Sequence, residues 1–322
     1  MTVFGYHCSH EQFSPVELLD CVRLAEEGGF ECASASDHFH PWSERQGQSA
    51  FTWAWLGAAM QATGLPFRTV SAPGYRYHPA ILAQAGATLA LMYPGRLWMA
   101  LGSGQRLNEA ITGMAWPTKA ERNERLRECA EVMRALWAGE TVTHHGRVTV
   151  EEARLYTRPE RPPLIVGAAV SAETARWLGG WADGLITVAG GPPESVRPVI
   201  EAFREGGGEG KPLLAQAKVA WGRDEGSLRR DALAQWGTNL FAGDVPWELA
   251  TPRQFERAAA FVREADLDAQ LTVSTDLGRH AERLRAYADL GIDEITVHNV
   301  APDQRGFIEA FGRHVLPQLQ GG

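Results

Sequence analysis

Cysteine is scarce and scattered. Cys8, Cys21, Cys32 and Cys129 are the only four and form no C-x-x-C pair, which argues against zinc or thiol redox chemistry and leaves them as reduced packing residues. No run of about 18 apolar residues occurs, so no membrane-spanning helix is expected. The opening M-T-V-F-G-Y reads as a strand and lacks the basic, apolar and small-residue segments of a secretory leader, so a cytoplasmic location is expected. Positive charge is in deficit, with 31 Lys and Arg against 39 Asp and Glu. A net charge of −8 spread along the chain argues against a nucleic-acid partner, which needs a clustered basic face. Low-complexity tracts are also missing. What is present is ordinary globular material, 44% hydrophobic and 22% charged over 322 residues, enough for one domain spanning 1–322.

Short apolar runs bounded by turn residues alternate with segments of helical period, the signature of repeated βα units. Strands are expected at 3–6, 32–36, 69–72, 97–101, 164–167, 184–187, 214–220 and 294–298. Helices are expected from Ser14-Pro15 to Gly28-Gly29, from Pro79 to Tyr93, and over 120–137, 171–181, 193–205, 279–290 and 302–319. Eight such units suit a closed (β/α)8 barrel, the α/β fold expected here, although a doubly wound open sheet predicts a similar string. Two stretches break the rhythm. T-V-T-H-H-G-R-V-T-V, within 137–163, alternates with period two around His145-Gly146 and reads as an appended hairpin. The segment 223–267 is too long for a loop and carries helical charge patterning, so a helical excursion over one barrel end is expected.

Chemistry concentrates at strand ends. S-A-S-D-H-F-H-P-W, Ser34 to Trp42, follows the second strand and places Asp37 and His38 where barrels carry catalytic groups. A carboxylate beside an imidazole tunes a side chain already suited to proton transfer near neutral pH. The structural alternative is that Asp37 caps the next element and His38 packs under a loop. Glu11, after the first strand, either adds a second carboxylate or is a solvated loop residue. Trp42 offers an aromatic wall, whereas Trp53 and Trp55 read as core. After the fourth strand, A-L-G-S-G-Q-R-L-N-E (Ala100 to Glu109) gives a small-residue turn with Asn108 as a ligand donor. V-G-A-A-V-S-A-E-T, Val166 to Thr174, gives a strand, small residues and a helix start that either receives a phosphate or is simply capped.

In this order E-Q-F-S-P (Glu11 to Pro15), S-D-H-F-H-P-W (Ser36 to Trp42), R-Y-H-P (Arg76 to Pro79) and G-S-G-Q-R-L-N-E (Gly102 to Glu109) resemble the luciferase-like flavin and deazaflavin oxidoreductases. The resemblance runs from Gly5 to Leu319 and is strongest to the branch containing coenzyme F420-dependent glucose-6-phosphate dehydrogenase. It implies a homodimeric barrel enzyme that moves hydride between a small-molecule substrate and a ring held in the mouth. The position of Asp37 implies a cofactor contact, and those of His38, Trp42 and Glu11 surround the reacting carbon of the substrate. Ser103, Gly104 and Asn108 match further cofactor contacts, and Ala169, Val170, Ala172 and Glu173 match the turn and helix start that hold its phosphate. A non-prolyl cis peptide is implied on the third strand, at Thr69-Val70, beside the cofactor.

The departures matter as much. The sugar-phosphate dehydrogenases of the branch carry a glutamate where this chain has Gln105, a threonine at Ala72, and a threonine and a lysine at Val188 and Gly191. Glutamine cannot transfer a proton, and valine and glycine offer no charge-assisted bonds to a phosphate dianion. Glucose 6-phosphate is therefore not expected as substrate, and flavin mononucleotide (FMN) is slightly preferred to F420 as cofactor. For F420, Arg68, Arg76 and Arg106 are the candidates for a basic rim facing its carboxylate-rich tail. Two further readings stay open: a flavin monooxygenase that consumes oxygen, and, from Gln105, a flavin-binding barrel without catalysis.

Overall fold

The structure is a computed structural model that describes residues 1–241, 243 and 245–321. Eleven strands occur among these residues: β1 (Val3–Cys8), β2 (Cys32–Ser36), β3 (Phe67–Ser71), β4 (Leu97–Leu101), β5 (Val142–His145), β6 (Thr149–Ala153), β7 (Ile165–Ala168), β8 (Gly184–Ala189), β9 (Leu213–Ala220), β10 (Thr272–Val273) and β11 (Glu294–Asn299). Eight of them pair in parallel in the order β1-β2-β3-β4-β7-β8-β9-β11, and β11 pairs back to β1. The sheet is thus closed, and the open doubly wound alternative is excluded. The two-residue β10 adds to the end of β9, and β5 and β6 form the antiparallel hairpin.

Alternation along each strand separates two apolar populations. Phe4, Tyr6 and Cys8 point outward and join Leu18, Val22 and Phe311 of the surrounding helices in the main core. Ala100, Val166, Ile186 and Leu214 form a separate cluster inside the barrel. At its floor Arg68 Nη2 donates to Glu294 Oε2 at 2.6 Å, with its guanidinium 4.1 Å from the Trp98 ring centroid. Gly5 fits where it is because a Cβ there would lie 2.3 Å from Cys32 Sγ and 2.7 Å from the Cys32 carbonyl oxygen. Gly5→Ala is expected to cost about 1–3 kcal/mol of stability by overpacking, measured by denaturant unfolding.

The helices start where the local chemistry says they should. Ser14 and Glu17 form a capping box ahead of Pro15–Glu27, and Thr118 and Glu121 do the same for Lys119–Ala138. One helix, Thr52–Ala62, is not expected from the sequence: Phe51 at its N-cap makes no side-chain bond, and the helix buries Trp53, Trp55, Leu56, Ala59 and Met60. Trp53 and Trp55 are core, as read. The excursion folds as helices Glu225–Trp236 and Pro252–Ala259 with short turns between and after them. Trp236, Leu228, Leu240, Leu267 and Val300 pack together there, with Trp42 against them, so the excursion lies next to the second-strand loop.

No described peptide bond is cis, which overturns the expectation at Thr69-Val70. The ladder runs unbroken through both residues, with Thr69 opposite Ala35 and Met99 and Val70 opposite Ser36 and Ala100, and such a ladder uses trans units. All four cysteines are unpaired. No helix among the described residues is long and apolar enough to cross a membrane.

Candidate active site

Asp37, one residue beyond β2, is almost wholly buried and collects donors from three directions. Ser71 Oγ donates to Oδ2, while the Tyr77 hydroxyl (2.8 Å) and Arg76 Nη1 (3.2 Å) donate to Oδ1. Burial, with Asp37 beside it, raises the Tyr77 hydroxyl above its ordinary value, which keeps its proton in place to donate. Arg76 also bonds Glu109 through Nε at 3.3 Å and through its backbone N–H at 3.2 Å. Two buried carboxylates therefore share one guanidinium. This is where R-Y-H-P meets S-D-H-F-H-P-W and the end of G-S-G-Q-R-L-N-E.

The next residue faces the other way. His38 Nδ1 lies 3.5 Å from Glu11 Oε1 without a hydrogen bond, and its ring is 4.8 Å from that of Trp42. Glu11 Oε2 accepts from Ser36 Oγ (2.6 Å) and Ser9 Oγ (3.0 Å). Burial raises the Glu11 carboxyl, but His38 and these hydroxyls outweigh it and hold the group below the ordinary carboxylate range. Burial lowers His38 from its ordinary 6.5, and Glu11 pulls against that shift without cancelling it. At neutral pH the pair is a neutral imidazole beside a carboxylate, an arrangement competent to accept a proton. Trp42 packs edge-on against Phe255 of the excursion at 5.3 Å, which closes one side.

The loop carrying these groups is clamped. Asn108 Oδ1 accepts from the backbone N–H of Phe39 (2.9 Å) and His40 (3.3 Å), and its Nδ2 donates to Gln105 Oε1 at 3.3 Å. Asn108 thus spends its Oδ1 on the loop, a use its sequence position did not show. Ser103 Oγ meets Lys119 Nζ at 2.7 Å. Gly104 has φ of +89°, and a Cβ there would crowd Glu109 and Trp116, so only glycine suits the turn. Val70, on β3, is 39% exposed, while Thr69 beside it is buried on the opposite face. Ala72 and Ala169 are buried, Val170 is 55% exposed and Val188 43% exposed. Ala172 begins a helix capped by Ser171, with Glu173 in its first turn. The basic rim fails in two of its three members: Arg68 is at the barrel floor because it stands near the start of β3, and Arg76 is buried in the Asp37 pair. Only Arg106 is at the surface, bonded to the Glu248 carbonyl.

Several groups at the mouth were not read from the sequence. Lys119 lies next to Ser103 and close enough to Glu173 for their charges to interact. Lys218 and His298, on β9 and β11, pair with one another at 2.9 Å, and His7 stacks on His298 with centroids 4.6 Å apart. Lys218 and His298 alternate with apolar residues along their strands, as Gln216 and Thr296 do, and this period-two alternation was the available signal that they point inward.

The sequence pattern of the family described as luciferase-like monooxygenase matches residues 2–294. The chain is 35% identical over 328 residues to an F420-dependent glucose-6-phosphate dehydrogenase of Microbacterium testaceum, covering 98% of this chain and 97% of the relative. It is 34% identical over 334 residues to the enzyme of the same name from Intrasporangium calvum, covering all of both. Among solved structures it is similar to an F420-dependent secondary alcohol dehydrogenase in complex with an F420-acetone adduct, with a TM-score of 0.92, 30% identity and 99% of each chain covered. All three are named for F420, and none for the FMN that Ala72 and Gln105 favoured. With the barrel, the paired His38 and Glu11 and a family match across most of its length, the chain belongs to the luciferase-like family and is a flavin- or F420-dependent oxidoreductase.

Proposed function

We propose that the chain transfers hydride between coenzyme F420 and a small alcohol or its carbonyl counterpart, with His38 as the proton-transferring residue. The observation that carries this reading is the neutral His38 held between Glu11 and Trp42 at the strand ends. The names of the relatives support the cofactor. The mouth suits a flat ring: Val70, Val170 and Val188 are exposed valines. Ser103, Lys119 and the helix start at Ala172 would hold its phosphate. When bound, the deazaflavin supplies the hydride acceptor or donor. His38 takes the hydroxyl proton at Nε2, because Nδ1 is turned toward Glu11. Glu11, already ionised, stabilises the imidazolium that results, and Trp42 with Phe255 keeps water from that side.

A base must be unprotonated to act, so kcat/KM for alcohol oxidation is expected to fall by about tenfold per pH unit below the His38 value, which lies under 6.5. Glu11 raises that value, so Glu11→Gln is expected to move the acid limb to lower pH and to reduce kcat. A pH–rate profile for both proteins checks this, and an unmoved limb would separate Glu11 from His38. Oxygen uptake measured during turnover tests the monooxygenase alternative, which requires it; none is expected.

Glucose 6-phosphate is disfavoured by shape as well as charge. A Cβ on Gly191 would lie 2.7 Å from the Ala269 carbonyl oxygen, and one on Gly190 would lie 2.1 Å from that of Gln270. Gly191→Lys combined with Val188→Thr is therefore expected to leave turnover of glucose 6-phosphate undetected in a cofactor-reduction assay, because the backbone has no room to carry the lysine.

A further inference from the structure

We propose that Lys218 binds a carboxylate of the substrate, so that the alcohol oxidised at this site is a small hydroxy acid. The proposal rests on the alcohol-oxidation reading above and names its substrate class. Lys218 is buried on β9, beside His298 of β11 in the parallel register. Its Nζ has one hydrogen-bond partner, His298 Nδ1 at 2.9 Å, and stands 4.5 Å from the centroid of the Trp236 ring. No carboxylate among the described residues pairs with it.

The hydrogen-bonding neighbours supply no charge. His298 Nε2 faces Gln12 Oε1 at 2.8 Å, and Gln12 Nε2 in turn donates to Gln235 Oε1 and the Val300 carbonyl. Gln12 therefore presents its oxygen, the His298 proton sits on Nε2, and Nδ1 accepts from Lys218. His7 Nδ1 meets Gln216 Nε2 at 2.7 Å and Ser34 Oγ at 2.8 Å, and burial holds both imidazoles neutral. Glu11, whose charge reaches Lys218, is occupied by Ser9, Ser36 and His38. Among the described residues the ammonium thus keeps N–H donors with no acceptor, a costly arrangement in a low-dielectric interior.

Position and charge point to the occupant. Gln216 stands in register with the exposed Val188, and Lys218 is two residues further toward the mouth on the same face. One ammonium matches one carboxylate. A phosphate dianion would want a second cation, and the one beside Gly191, Arg283, already spends Nη1 on the Gly191 carbonyl at 3.1 Å. Glu11 is near enough to both His38 and Lys218 for its charge to act on each, so one small substrate can present its hydroxyl to the first and its carboxylate to the second.

Butanoate and 1-butanol, titrated into cofactor-free protein and followed by tryptophan fluorescence, test this directly. Saturable binding of butanoate, at least 30-fold weaker in Lys218→Met and partly kept in Lys218→Arg, is expected. Wild-type affinity should fall as pH rises through about 7, where Lys218 loses its proton, because the facing groups, His7, His298 and Glu11, do not change charge there. With F420 added, the preference for 3-hydroxybutanoate over 2-butanol in kcat/KM should drop by a similar factor in Lys218→Met, through KM. Should Lys218→Met fail to fold, Lys218→Arg and the wild-type pH dependence decide. Absent butanoate binding, or a preference unchanged in the variants, overturns the role of Lys218. Butanoate bound through Lys218 without turnover of either alcohol upholds that role and overturns alcohol oxidation instead.

Discussion

His38→Ala is expected to lower kcat for alcohol oxidation by a factor of about 10² to 10⁴, the usual contribution of a positioned general base, while F420 still binds. The imidazole is a partner of Glu11 and a neighbour of Trp42, and the loop does not depend on its ring. That loop is held by Asn108 on the N–H groups of Phe39 and His40, by Ser49 on the His38 carbonyl, and by Gln46 bridging Trp42 and Gln235. Removing the ring should therefore leave the melting temperature near that of the wild type and take away only the proton acceptor. The decisive measurement is single-turnover reduction of F420 alongside an F420 titration. Wild-type turnover with intact binding would move the proton to another group. Loss of binding together with rate would show that His38 builds the pocket rather than the chemistry.

The barrel was legible because its strands are short, apolar and bounded by turn residues. β2 and β4 fall where their runs of small and apolar residues put them, and the hairpin of β5 and β6 follows from alternation around His145-Gly146. Thr52–Ala62 escaped because capping chemistry is the main local signal of a helix start, and Phe51 supplies none. At the site, the motifs named loops that the fold brings to one end of the barrel but not the partners within them. Asp37 also accepts from Ser71, Arg76 and Tyr77, and Asn108 Oδ1 also holds the loop, partners that the motifs did not show. Arg68 shows the limit most clearly. Its residue type suggested a rim, whereas its place near the start of β3 puts it at the floor beside Glu294. Long-range pairs such as Lys218 with His298 or Glu11 with His38 depend on barrel closure, which no local pattern encodes.

Arg76→Met is expected to be the most destabilising single change at the mouth. Its guanidinium faces Asp37 at 3.2 Å and Glu109 at 3.3 Å, lies over the Tyr77 ring with 4.4 Å to the centroid, and also bonds the Asp37 carbonyl. Methionine keeps the apolar stem and removes the charge, leaving two buried carboxylates without a cation. Breaking one side of a buried pair costs about 3–5 kcal/mol. The lower end applies here, since Ser71 and Tyr77 continue to donate to Asp37 and Glu109 can escape by taking a proton. Burial already raises the Glu109 carboxyl, with Arg76 holding it down, so without Arg76 it rises further. A carboxyl raised in the folded state is tolerated while protonated and becomes costly as pH climbs through its folded value. The deficit of Arg76→Met against wild type should therefore be larger at pH 8 than at pH 5. A loss of about 3 kcal/mol corresponds to roughly 4–5 °C in melting temperature for a domain of 322 residues, at about 2.1 cal/mol/K of unfolding entropy per residue. Scanning calorimetry at the two pH values tests both parts: equal melting temperatures would show that the guanidinium does not hold the mouth together, and a pH-independent deficit would place the loss in packing on Tyr77 rather than in the paired charges.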